Sequence, residues 1–260
     1  MDKYESFKSK VYTLTGINLS LYKEKQMKRR ITSLASRNGY DDFEKYFEAI
    51  KKDKNLFDEF INYLTINVSE FYRNPVQWTT LEKDLLPDLI KNNRKLTVWS
   101  SASSTGEEPY SLVMLLSKYY DMKDIKVMAT DIDKGAIEKA NIGIYSEKSI
   151  QNLPAEFKTK FFDKVGESFK IKDVVKNCVE YKQMNLLEDK YPINCNLILC
   201  RNVLIYFTEE AKDHVYEGFY KSLAKDGVLF VGSTEQIIMP ERYNLKSSKM
   251  FFYEKSEHNN

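Results

Sequence analysis

Two neighbouring carboxylates, Glu107 and Glu108, sit directly behind a run of small residues at 100–106. An apolar run at 96–99 precedes that loop. Pro109 and the apolar-rich stretch LVMLLSKYY follow it. The order reads as strand, tight loop and helix start, the first turn of a nucleotide-binding α/β sheet. The loop has neither the repeated glycines nor the lysine of a phosphate cradle, and two negative charges would repel phosphate. A cationic or amine-bearing nucleoside suits it instead. S-adenosylmethionine, with a sulfonium, an α-amino group and no phosphate, is such a ligand. Carboxylates in a first helical turn also complement the helix dipole, and proline is favoured there. One glutamate can serve the helix while the other faces the amino group, and Glu108 is the one favoured for the ligand.

Three further constellations join this one. Asp131 ends the apolar run IKVMATD, 25 residues after Gly106. An acidic residue there accepts hydrogen bonds from ribose hydroxyls, or else it caps the helix beginning near Lys134. In NLILCRNVLIYF the polar Arg201 and Asn202 interrupt an apolar run. They mark the carboxyl end of a buried strand, where open α/β sheets place ligands, unless they form a structural turn. Asn185, in MNLLE, lies just before it in a loop suited to adenine. In TINVSEFYRNP, Asn67, Ser69 and Arg73 stand among apolar residues. On a helix, 69 and 73 share a face, so the segment reads as a lid over the ligand or as a capped helix start.

These residues need elements to hold them. Residues 1–72 read as helical, with apolar residues at helical spacing (Phe43, Tyr46, Phe47, Ile50) and stops at Gly16, Asn38 and Gly39. From about 95 onward strands at 96–99, 125–130, 196–200 and 228–232 alternate with helices near 107–120, 133–141 and 208–224. That alternation specifies a mostly parallel, doubly wound sheet. MFFYEK at 250–255 adds an antiparallel strand. Residues 147–182 interrupt the pattern, and ESFKIKD and NCVEYKQM within them suit short antiparallel strands.

Composition narrows the function. A net charge of +2 is too small to imply nucleic-acid binding by itself. No apolar run is long enough to span a membrane, and the charged start MDKYESFKSK has no signal-peptide core, so the expected location is the cytoplasm. The three cysteines, Cys178, Cys195 and Cys200, lack metal-ligand spacing and read as reduced thiols. With only His214, in a helix, and His258, in a polar tail, histidine-based acid–base or metal chemistry is not expected. Between 20 and 40 the cations Lys23, Lys25, Lys28, Arg29, Arg30 and Arg37 face a single carboxylate, Glu24. This is a solvated face or a site for an acidic partner; no aromatic platform for nucleic acid accompanies it.

Taken together, the four sheet and lid segments resemble the chemotaxis receptor methyltransferases, the CheR family, over residues 5–254. TINVSEFYRNP is similar to the family's TxNxTxFFR segment, WSSASSTGEEPYS to its WSAxCSxGEEPYS loop, ATDID to its acidic strand end and CRNVLIYF to its fourth-strand signature. Ser103 replaces a frequent cysteine, and Tyr72 replaces a phenylalanine. The resemblance implies an α/β fold, a Rossmann-like class I methyltransferase sheet with an N-terminal helical domain at 1–72 that binds receptors. It places the methyltransferase domain at 73–260, with a small antiparallel β-subdomain inserted at about 147–182. It implies methyl transfer from S-adenosylmethionine to glutamate side chains on the cytoplasmic helices of chemoreceptors by a monomer that neither binds nucleic acid nor inserts into membrane. By motif position Asn67, Ser69, Arg73, Glu107, Glu108, Asp131, Asn185, Leu186, Arg201 and Asn202 would line the cofactor site, with Arg73 and Tyr206 acting in catalysis. A carboxylate acceptor is already anionic at neutral pH and needs no general base. The rival expectations are a methyltransferase of another substrate and a non-catalytic sensor of the cofactor.

Overall fold

The computed structural model describes residues 3–256; His258 and the first two residues lie outside them. The chain divides into two units, 1–67 with 203–214, and 68–202 with 215–260.

The N-terminal segment of the first unit carries, among the described residues, the α-helices α1 (Lys3–Thr15), α2 (Glu24–Arg37), α3 (Phe43–Lys52) and α4 (Lys54–Thr65). Helix α2 buries Met27, Ile31, Leu34 and Ala35, a single stripe at helical spacing. Phe7 on α1 packs against Phe43 with ring centroids 5.0 Å apart, and Phe47 and Phe60 meet its ring edge-on. The starts of α3 and α4 are set by aspartates. Asp42 accepts from the Glu44 and Lys45 amides, and Asp53 from those of Asn55 and Leu56. The Lys3 ammonium, 2.6 Å away, and the two amides hold the Asp42 carboxyl down at about 2. The segment 203–214 belongs here through the bond from Lys23 N–H to the Tyr206 carbonyl (2.9 Å) and a bridge between Tyr22 and Phe207. It carries a short 3-10 turn, Leu204–Tyr206, and the start of a helix that holds His214.

The second unit opens with α5 (Pro75–Thr80), which runs through a wide π turn at Leu81–Leu85 into α6 (Leu86–Asn92). Then come β1 (Val98–Ser101), α7 (Glu107–Leu116), β2 (Val127–Asp131) and α8 (Lys134–Ile142). A second group follows: β3 (Ile144–Ser146), α9 (Ala155–Phe161), β4 (Phe162–Val165), β5 (Ser168–Ile171) and α10 (Asp173–Lys176). The chain closes with β6 (Val179–Gln183), β7 (Cys195–Cys200), α11 (Glu209–Ser222), β8 (Leu223–Val231), β9 (Leu245–Lys249) and β10 (Phe252–Lys255). The main sheet has the order β6-β2-β1-β7-β8-β10-β9. Its first five strands are parallel, and β10 and β9 close it antiparallel. Every residue of β1 and β7 is buried, as central parallel strands require. A separate antiparallel sheet, β3-β5-β4, stands beside it.

Three expectations need correction. NCVEYKQM does not join the small sheet: β6 pairs parallel with β2 and forms the edge of the main sheet. The small sheet therefore spans 144–171, and its strands begin where α8 stops at Gly143, at φ +71°. The segment 66–74 is neither a helix nor a capped helix start. Its backbone donors serve other segments, Phe71 N–H to the Ser149 carbonyl and Tyr72 N–H to the Ser111 hydroxyl, and Ile66, Tyr72 and Asn74 have positive φ. The first strand runs on from Trp99 to Ser101, because both serine hydroxyls find partners. Ser101 donates to the Leu199 carbonyl at 2.8 Å and Ser100 to Glu108 at 2.8 Å.

Candidate functional site

Strand order reverses between β1 and β7, since the chain builds outward from β1 to β2 and β6 and then returns to place β7 on its other side. In open α/β sheets such a switch point opens a crevice at the carboxyl ends of the strands. Most of the residues singled out from the sequence gather there; Asn67 and Tyr206 belong to the first unit.

The loop from β1 to α7 is a chain of left-handed residues, with Ala102 at φ +63°, Ser104 at +48° and Gly106 at +96°. Only Gly106 takes this geometry without cost, and a Cβ there would meet the Tyr181 hydroxyl, the Tyr110 ring and the methyl of Ala140. Hydrogen bonds from the two amides after Ala102 fasten the loop. Ser103 N–H donates to the Thr130 carbonyl at 2.9 Å, and Ser104 N–H donates to Asp131 Oδ2 at 2.7 Å. Asp131 thus fastens the loop to the end of β2, and its other oxygen takes the Asp133 amide at 2.9 Å. It does not cap α8; Asp133 does, accepting from the Ala136 amide. Burial pushes the Asp131 carboxyl up to about 6, against the pull of those amides.

The acidic pair divides its work. Glu107 is buried and accepts from the Thr105 hydroxyl at 2.7 Å and from the Ser69 hydroxyl. Glu108 spans the switch point itself. One oxygen takes the Ser100 hydroxyl of β1, and the other faces Arg201 beyond β7 at 3.4 Å. Its side chain is 12% exposed, against 2% for that of Arg201. Burial raises both carboxyls and lowers the Arg201 guanidinium, while attraction between Glu108 and Arg201 opposes the shift in each. Arg201 also donates to the Arg73 carbonyl at 2.7 Å and to Gln77 Oε1 at 2.9 Å, and it lies over the Phe230 ring. The Arg73 guanidinium folds back on the Val68 carbonyl at 3.1 Å.

Ser69, Arg73, Glu107, Glu108, Asp131, Arg201 and Asn202 are therefore brought together by direct contacts or chain adjacency. Asn185 and Leu186 follow β6 and lie beside them, because the Met184 amide donates to the Asp131 carbonyl at 2.9 Å. Asn185 closes its own turn by accepting the Leu187 amide, and the Leu186 carbonyl accepts the Tyr191 hydroxyl. Asn67 and Tyr206 belong to the first unit. There Asn67 donates to Asn62 and Thr65 at the end of α4, and Tyr206 ends a 3-10 turn. Two residues escaped the sequence reading. Gln77 is the partner of Arg201 just described. Glu235 accepts the amides of Asn202 and Gly232. A polar GSTE run directly behind the buried β8 was the available signal, the same pattern that exposed the ends of β1 and β7.

The donor set suits a cationic, amine-bearing nucleoside. Glu107, Glu108 and the buried Asp131 stand at the ends of β1 and β2, and the loop carries no lysine or arginine for phosphate. Among the described residues no cluster of histidine, cysteine or carboxylates has the form of a metal site.

Comparison with known proteins agrees with this chemistry. Residues 67–252 match the family model described as CheR methyltransferase, SAM binding domain, and residues 2–65 match the CheR methyltransferase all-alpha domain. A chemotaxis protein methyltransferase of Listeria monocytogenes is 42% identical over 242 residues, covering 93% of this chain and 92% of the relative. One of Borreliella burgdorferi is 32% identical, covering 90% of each chain. One of Salmonella typhimurium is 32% identical, covering 86% of this chain and 80% of its own. The chain is a member of the CheR family, an S-adenosylmethionine-dependent methyltransferase.

Proposed function

We propose that the chain methylates glutamate side chains on the cytoplasmic helices of chemoreceptors, forming methyl esters, and that it acts in the cytoplasm. The observation that carries this reading is the acidic, histidine-free switch point, in a chain whose relatives are named chemotaxis protein methyltransferases. A carboxylate acceptor is charged at neutral pH, so the site needs to position it rather than deprotonate it. S-adenosylmethionine supplies the activated methyl group. The chain's residues bind, orient and exclude water. In this reading Asp131 accepts from the ribose hydroxyls, and Glu108 or Glu107 faces the α-amino group. Ser69, Asn185, Leu186, Arg201 and Asn202 complete the lining. Motif position alone assigns Asn67 to the cofactor and Tyr206 to the acceptor.

Arg73 is the cation proposed to steer the acceptor carboxylate. Its half-buried guanidinium donates to the Val68 carbonyl and is bound to no carboxylate among the described residues, which leaves it able to turn toward an anion. Arg73→Ala should remove most of the activity, and near wild-type turnover would take Arg73 out of the mechanism. The helical unit is proposed to read the receptor. Lys23, Lys25 and Arg29 are exposed on or just before α2, a surface suited to a glutamate-rich helix.

The test is transfer of label from S-adenosylmethionine to receptor-containing membranes, followed by mild base. Methyl esters release methanol under those conditions. Base-stable label would instead mean N-methylation, and no label would favour a cofactor sensor.

A further inference from the structure

At the end of β8, outside every motif read from the sequence, Glu235 is 5% exposed. One of its oxygens, Oε2, accepts two backbone amides, that of Gly232 at 3.0 Å and that of Asn202 by a short bond. The two amides come from different strand ends. Gly232 directly follows β8, and Asn202 is the second residue beyond β7. Asn202 has φ +63°, a conformation that asparagine tolerates and most residues do not. Position 232 is shaped for the carboxylate, because a Cβ there would collide with Glu235 Oε2 and stand 3.0 Å from the Asn202 amide. The neighbouring loop is tied down as well. Ser233 accepts from the Asn74 amide group at 3.1 Å, next to Arg73, whose carbonyl holds Arg201.

We infer that Glu235 is a positioning residue of the cofactor site: its carboxylate fixes the turn at Arg201 and Asn202, and through that turn sets where Arg201 meets Glu108. A carboxylate suits the task. It accepts several bonds, and charge-assisted bonds to amides are stronger than neutral ones. Holding the turn against β8 keeps Asn202 left-handed before any ligand arrives, which lowers the ordering cost of binding. This inference rests on the proposed lining of the site by Arg201 and Asn202.

The test measures dissociation constants for S-adenosylhomocysteine by calorimetry, with thermal melts, on the wild-type chain and on Glu235→Ala, Glu235→Gln, Asn202→Ala and the Glu235→Ala/Asn202→Ala double variant. Glu235→Ala leaves the buried Gly232 amide and the partly buried Asn202 amide without this acceptor and should weaken binding about 10-fold or more. Glu235→Gln keeps an acceptor oxygen and should stay within about threefold of wild type. Because Glu235 acts through the turn, the double variant should bind no more weakly than the weaker single variant. A merely structural role would move the melting temperature without that non-additivity. Unchanged affinity in Glu235→Ala, with Asn202→Ala weakened, overturns the inference alone. Unchanged affinity in Asn202→Ala overturns the assignment of the site beneath it. Additive losses in the double variant also overturn the inference.

Discussion

In the helical unit Lys25 and Arg29 stand in solvent, while in the sheet unit Glu108, Arg201, Asp131 and Glu235 are almost entirely enclosed. The first group is screened by salt and constrains no neighbour. The second is partnered closely, and each of its carboxylates has at least one partner on another strand end or loop. Exposed charge acts at a distance and on rates. Enclosed charge acts on geometry, because a buried ion is tolerated only where its partners are fixed. The difference matches the two tasks proposed for the units, recognition of a partner and placement of a small molecule.

The sharpest way to break that contrast is to remove one half of the enclosed pair. Arg201→Met should destabilise the sheet unit by about 3–5 kcal/mol in denaturant melts, since Glu108 is left buried and unmatched. Replacing both residues with methionine should recover most of that stability but not the affinity for S-adenosylhomocysteine. Recovery of both would reduce the pair to a packing element.

Asp131 gives the next largest effect. Asp131→Asn should weaken cofactor binding about 10- to 100-fold, the loss of charge-assisted bonds. In the wild type, protonation removes an acceptor, so affinity should fall as pH drops through about 6, and the profile of Asp131→Asn should be flat there. Stability moves the opposite way. The folded chain binds this proton more readily than the unfolded chain, so the Asp131 contribution to stability is fully present at low pH and is lost as pH rises through about 6.

On the exposed side, Lys25→Glu with Arg29→Glu should leave melting and cofactor affinity unchanged. Receptor methylation should fall roughly tenfold at low salt, and the gap should close as salt screens it. Equal loss at high salt would mean contact chemistry rather than steering. The smallest effect belongs to Arg30, a cation of α2 that works inward. It donates to the Tyr63 carbonyl at 2.6 Å and lies over the Tyr63 ring. Arg30→Lys keeps the charge and should cost about 1 kcal/mol of stability without changing receptor methylation.

How much of this the sequence disclosed follows from the same physics. The β1 loop was legible because an apolar run that breaks into small residues and then carboxylates has few other uses. Asp131 and the pair of Arg201 and Asn202 were legible because polar residues at the end of a buried strand need a reason. The six cations between 20 and 40 were visible as a group, but their division was not. Arg30 and Arg37 are committed to Tyr63 and Glu59 across the unit, and local spacing says nothing of partners 20 or more residues away. The same limit hid β6, whose alternating polar residues resemble an antiparallel strand until the pairing with β2 is known. It also hid the loop at 66–74, where the spacing of Ser69 and Arg73 imitates a helix but the amides serve Ser149 and Ser111.

The central strand pair has a consequence for how the chain is made. Ser101 on β1 donates to the Leu199 carbonyl on β7, 98 positions later. At about 5–20 residues per second of synthesis, β1 waits roughly 5–20 s for its neighbour. Throughout that interval VWSS has one unpaired edge, a template for pairing with another chain. A ribosome stalled before residue 200 therefore releases a nascent chain with half a crevice and an open apolar strand. Folding of the site is a late event, and chaperone capture of stalled chains should end when β7 emerges.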